Sequence, residues 1–113
     1  MPKYLIKATY TPPAGIQGLL EEGGSGRIEA VKKLCASLKG SLDAMYYAFG
    51  ETDVYAIVDL PNNAAVAAFS LIVGSSGEAQ TTVVPLLTAD EIDQAAKLNP
   101  NYRPPGDASS LRT

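Results

Sequence analysis

The chain contains no histidine, and that absence removes more chemistry than any other feature of its 113 residues. Histidine is the commonest general acid-base group and the commonest metal ligand. Without it there is no Ser-His-Asp or Cys-His nucleophile, no histidine-ligated haem and no histidine-based zinc site. Catalysis would have to run on Asp, Glu, Lys, Tyr, Arg, Cys or backbone groups. The single cysteine, Cys35, excludes an internal disulfide. Basic surface is also scarce. The nine Lys and Arg are scattered and the net charge is −3, which argues against a nucleic-acid partner because phosphate binding needs a concentrated cationic surface. No apolar run approaches the ~20 residues of a membrane span, and Met1-Pro2-Lys3-Tyr4-Leu5 enters an alternating strand with no signal peptide visible. The expectation is a cytoplasmic protein of one domain over residues 1–98, without metal, cofactor, nucleic acid or membrane, followed by an extended or disordered tail over 99–113.

What is present is two similar halves. In the first strand, Lys3 to Tyr10, one face carries Tyr4, Ile6, Ala8 and Tyr10, and the other carries Leu5, Lys7 and Thr9. That alternation suits a half-covered sheet. Thr11-Pro12-Pro13 ends the strand, and a short helix is expected from Pro13 to Glu21. Gly23-Gly24-Ser25-Gly26 reads as a corner whose Ser25 caps a second helix, Arg27 to Leu38. On that helix Ile28, Val31, Leu34, Cys35 and Leu38 form one apolar stripe. The strands Leu42 to Phe49 and Val54 to Leu60 flank Gly50-Glu51-Thr52-Asp53 and read as a β-hairpin. An alanine-rich helix, Ala64 to Val73, and a strand, Ala79 to Leu87, complete the second half. Pro85 marks that strand as an edge strand or as bulged. Thr88-Ala89-Asp90-Glu91 is a capping box opening a last helix to Leu98.

The order βαββαβ plus a terminal helix is the α+β, ferredoxin-like arrangement. Both long helices must cover one face of a four-stranded antiparallel sheet. Strand parity assigns Lys7, Thr9, Asp43, Met45, Tyr47, Tyr55, Ile57, Thr81 and Val83 to the other face. Such a set is too apolar for water and too polar for an ordinary core, so a homodimer enclosing that face between two sheets is expected.

The segments Pro2 to Thr11, Glu22-Gly23-Gly24-Ser25-Gly26-Arg27, Tyr47-Ala48-Phe49-Gly50, Asp53-Val54-Tyr55 and Val58-Asp59-Leu60-Pro61 resemble, in order and spacing, small bacterial proteins of the GYD-domain family. The resemblance covers residues 1 to 98 and implies a dimeric α/β-barrel, with no biochemical function attached to the family. Thr52 stands where the family signature has tyrosine. The Phe-Gly-x-x-Asp turn also resembles that of the ligand-binding domain in Lrp/AsnC-type regulators.

Six residues are candidate ligand contacts. Lys7, Tyr47, Tyr55 and Asp43 are expected inside the barrel, where a lysine and tyrosines among apolar groups could form a small-molecule site. The competing reading makes them an interface, with Lys7 paired to Asp43 or Asp59. Arg27, after its glycine-rich corner, could meet an anion at a helix N-terminus or simply follow a capped turn. Asp53 could fix a ligand, or bond its own turn. Cys35 reads as a small hydrophobe. Three functional readings stay open: a homodimeric small-molecule-binding module, a cofactor-free monooxygenase or isomerase of the dimeric-barrel type, and a structural subunit whose sheet face is only an interface.

Overall fold

The parity of the first strand decides the architecture. In the computed structural model, which describes residues 1–106, β1 (Lys3–Tyr10) buries Tyr4, Ile6 and Tyr10 on one side. It is followed by α1 (Ala14–Ser37), β2 (Ser41–Tyr47), β3 (Val54–Asp59), α2 (Asn63–Ser75), β4 (Ala79–Leu86) and α3 (Ala89–Ala96). The four strands form one antiparallel sheet in the order β2-β3-β1-β4. This is the ferredoxin-like arrangement: each long helix carries the chain across the strand that its unit skips. Pro85 lies in the edge strand β4, where a missing N–H costs no interior pairing.

Tyr4 and Ile6 of β1, Ala56 and Val58 of β3, Leu60, Cys35 of α1, and Val66 and Phe69 of α2 make the core. These strand residues sit directly opposite one another, Ile6 against Ala56 and Tyr4 against Val58, so they share the helix-covered face. The one polar atom carried in by Tyr4 is satisfied, since its hydroxyl donates to Asn63 Oδ1 at 2.7 Å. Asn62 caps α2, its side chain accepting from the Ala65 N–H at 2.9 Å.

Two expectations about helix α1 need correction. Two helices do meet here within α1, but the corner expected over residues 23–26 is narrowed to one residue: Gly23 alone leaves helical geometry, at φ 75° and ψ 169°. Only glycine takes that conformation without strain. Ser25 is therefore helical and caps nothing, and the second helix begins directly after Gly23, with Arg27 in its first turn.

The larger corrections concern the sheet. Leu42 opposes Val58 but Ala44 opposes Ile57, so Asp43 is an extra residue, a β-bulge. Past the bulge every side chain of β2 changes face. Met45, opposite Ala56, packs on the core, and Tyr47, opposite Val54, lies on the helix side; Ala44 and Tyr46 take the open face in their place. In β4, Thr81 opposes Ala8 and Val83 opposes Ile6, which also puts this pair on the helix side. The Thr81 hydroxyl hydrogen-bonds Ser70 of α2 at 2.6 Å. Lys7, Thr9, Tyr55 and Ile57 remain on the open face, joined by Leu5, Thr82 and Val84. No helix among the described residues is long and apolar enough to cross a membrane.

Candidate functional site

The β1–β3 ladder stops at Ala8 opposite Val54, leaving the last residues of β1 to find other partners. The hairpin loop supplies them. Asp53 N–H donates to the Ala8 carbonyl, and its Oδ2 accepts from the Tyr10 N–H, both at 2.9 Å. The Ala48 N–H donates to the Asp53 carbonyl at 2.9 Å, and Thr9 Oγ1 donates to the Glu51 carbonyl at 3.2 Å. Asp53 thus ties its loop to a neighbouring strand, a longer-range task than the local turn bond expected of it. The consequence is a fixed position for Tyr10, which is 9% exposed and stands at the end of the sheet beneath α1.

Around Tyr10 the structure opens two adjoining hollows. One, of about 420 Å³, is lined by Tyr10, Ile16, Leu19, Gly24, Tyr47, Phe49 and Asp53. The other, of about 340 Å³, is lined by Tyr10, Leu19, Glu22, Arg27, Leu34, Ile72, Val73 and Glu78 among others. A narrow space of about 60 Å³ runs inward from Arg27 and Tyr10 toward Met45, Phe69 and Thr81. The walls are mainly aliphatic, and the polar groups are few and convergent, which is the composition of small-molecule sites.

The break at Gly23 shapes the roof of this cleft. Tyr47 Oη donates to the Gly24 carbonyl at 2.8 Å, an acceptor that lies beside the broken step. Arg27 Nη1 reaches back across the break to Glu22 Oε2 at 3.3 Å. Burial is the largest influence on the Arg27 guanidinium and acts to lower its pKa. Interaction with Glu22 and the Tyr10 hydroxyl outweighs it and holds the value above the ordinary one. Burial, with help from Tyr10, pushes the Tyr47 phenol up against the lowering effect of Arg27. The cleft therefore presents a guanidinium held by Glu22 beside the Tyr47 phenol, polar groups of the kind that orient a ligand in an apolar pocket.

The six sequence candidates separate into three places. Arg27, Tyr47 and Asp53 come together around Tyr10, on the helix side of the sheet. Lys7 and Tyr55 face each other across β1 and β3 on the open face. Asp43, carried to the sheet margin by its bulge, pairs with Lys3, whose ammonium also reaches Asp59 at 3.3 Å. Interactions with Asp43 first and Asp59 second raise the Lys3 pKa. The expected pairing of Lys7 with Asp43 or Asp59 is thus made by Lys3, and Tyr47 is not a neighbour of Lys7. Arg27 lies in the first turn of the helix that restarts after Gly23, and its guanidinium is turned back to Glu22. Tyr10 is the residue that sequence reasoning passed over; it shares the parity of Tyr4 and Ile6 and was legible as a helix-side residue at a strand end.

Comparison with known families places residues 4–96 within the model of the GYD domain. No curated protein and no solved structure matches the chain.

Proposed function

The chain belongs to the GYD domain family, and on that premise we propose that it is a homodimeric module that binds a small organic molecule beside its sheet. The observation that carries the reading is the convergence of Arg27, Tyr10 and Tyr47 on an aliphatic cleft under the broken helix α1. Its two hollows, about 420 and 340 Å³, each fall within the range of small-molecule pockets. The guanidinium and phenols give orientation and specificity, while Ile16, Leu19, Leu34 and Val73 give apolar contact. The homodimer rests on the open sheet face. Tyr46 and Tyr55 stand side by side there, 71% and 40% exposed, next to Ile57, Leu5 and Val84. A contiguous apolar face of this kind marks an association surface, and a second copy offers the same face about a two-fold axis.

Native mass spectrometry of the protein as purified from cells tests both parts. The expected result is a dimer carrying a discrete extra mass, with that mass lost or much reduced in Arg27→Met. A clean monomer would overturn the dimer. An adduct that survives Arg27→Met unchanged would place the ligand elsewhere.

A further inference from the structure

The hollow of about 420 Å³ differs in kind from its neighbour. Three aromatic residues, Tyr10, Tyr47 and Phe49, line it with Ile16 and Leu19, and its one carboxylate is that of Asp53. Asp53 makes no ion pair among the described residues. Its Oδ2 accepts from the Tyr10 N–H, which leaves acceptor capacity on the carboxylate. No lysine or arginine occurs between Lys7 and Arg27, or between Lys39 and Lys97. The hairpin and the first half of α1, which wall the hollow, therefore bring carboxylates and no cation. Lys7 projects from the opposite face of the sheet. Arg27, whose charge is felt at Tyr47, lines the adjoining hollow and is paired with Glu22 at 3.3 Å.

Two of the aromatic residues are held in place. The Tyr47 hydroxyl is bonded to the Gly24 carbonyl at 2.8 Å, and Tyr10 is anchored through its N–H to Asp53. Phe49 is instead fully exposed at the rim, an apolar ring that gains by covering whatever sits beside it.

We propose that this hollow binds the head group of a quaternary or otherwise N-methylated ammonium, the rest of the ligand passing Tyr10 toward Arg27. The inference deepens the small-molecule reading above and rests on it. Aromatic rings attract a cation through the negative potential of their faces, more strongly where water is excluded. Asp53 supplies the counter-charge. The walls also select the kind of ammonium. A primary ammonium carries three N–H donors that each need an acceptor, and the hollow offers little beyond Asp53, since the Tyr47 hydroxyl is turned to Gly24. A methylated ammonium has fewer donors or none, and its methyl groups suit Ile16, Leu19 and Phe49. Arg27 then meets an acceptor at the ligand's other end, a carbonyl, hydroxyl or carboxylate.

The test titrates choline chloride into the full chain and follows amide NMR shifts. Sodium chloride at equal ionic strength is one control, and the neutral alcohol in which carbon replaces the ammonium nitrogen is the other. Saturable shifts at Tyr10, Tyr47, Phe49 and Asp53 are expected from choline, with the alcohol binding about tenfold more weakly. Asp53→Asn, which keeps an acceptor for the Tyr10 N–H, is expected to weaken choline about fivefold, and Phe49→Ala about threefold. No saturable shift from choline, equal affinity for choline and the alcohol, or choline binding indifferent to Asp53→Asn would each overturn the cation. Native mass spectrometry keeps this failure apart from that of the cleft. An adduct removed by Arg27→Met beside a failed choline titration would leave a ligand site without a cation, whereas no adduct and no shift would remove both.

Discussion

Replacing Asp53 by Ala isolates the contact on which the cleft depends. The Tyr10 N–H lies beyond the end of the β1–β3 ladder, and the carboxylate at 2.9 Å stands in for the absent strand. Because Tyr10 is nearly buried, water cannot fully replace the lost acceptor. Hydrogen bonds to charged groups contribute ~1.5–3 kcal/mol, and an orphaned buried donor costs ~1–3 kcal/mol. Asp53 is itself partly exposed, so the lower part of that range applies, about 1.5–2.5 kcal/mol. For a chain of this length ~4 °C accompanies each kcal/mol, giving a fall in Tm of roughly 6–10 °C. Asp53→Asn keeps an acceptor oxygen at the same place and should lose less than about 1 kcal/mol. Urea unfolding followed by circular dichroism measures both, with an unchanged m-value expected because the exposed surface is the same. If Asp53→Ala falls within 0.5 kcal/mol of wild type, the carboxylate does not hold the strand end. If Asp53→Asn costs as much as Asp53→Ala, the charge and not the hydrogen bond is what matters.

Three further outcomes follow from individual contacts. A Cβ at Gly15 would meet the backbone carbonyl of Glu78, so Gly15→Ala should lose ~1–3 kcal/mol in the same urea assay. Tyr47→Phe removes the bond to the Gly24 carbonyl from a partly exposed site, and a loss of about 0.5–1 kcal/mol is expected with weaker retention of any co-purified ligand in native mass spectrometry. Burial chiefly, with the Asp43 charge, pushes the Cys35 thiol up to about 11, against ~8.5 when unfolded. Because folding favours the neutral thiol, its contribution is complete below the unfolded value and is lost as pH rises from about 9 to 11. Wild type should therefore lose stability across that window more steeply than Cys35→Ala, and equal slopes would show that the thiol is not shielded.

Much of this fold is legible in the chain because it is written in short-range patterns. The parity of β1, the apolar stripe of Ile28, Val31, Leu34 and Cys35, the edge position of Pro85 and the Thr88–Glu91 box each depend on residues within a few positions of one another. The helix break at Gly23 was legible as a place but not as an extent. Glycines permit a corner, and whether they form one depends on what packs above them, here Tyr47 against Gly24.

The candidate site was harder to read, for a reason that comes down to one residue. A strand's faces follow from counting by twos, and the count survives only while the pairing keeps its register. Asp43 adds one residue to β2, so the count is correct at Leu42 and inverted from Ala44 onward. Nothing about Ser41-Leu42-Asp43-Ala44-Met45 announces the bulge, because both parities give a plausible alternation: Leu42 and Ala44 on one, Asp43 and Met45 on the other. The sheet resolves the ambiguity through tertiary packing, since the bulge lets Leu42 and Met45 both reach the core while Asp43 swings to Lys3 at the margin. That same step carries Tyr47 from the open face to the cleft beside Arg27 and Tyr10, and leaves Tyr46 beside Tyr55 on the face available to a partner. Alternation divides the two tyrosines of β2, and the bulging of Asp43 out of the count sets which of them serves each proposed task, Tyr47 a ligand on one side of the sheet and Tyr46 a second copy on the other. Deleting Asp43 should remove the bulge and leave every later pairing as it is, with Tyr46 beside Tyr55, Tyr47 on the cleft side and the hydroxyl bond to Gly24 intact, at the cost of the ion pair to Lys3. An adduct retained at wild-type level in native mass spectrometry from a still-folded dimer would agree with that reading, and loss of the adduct from such a dimer would refute it.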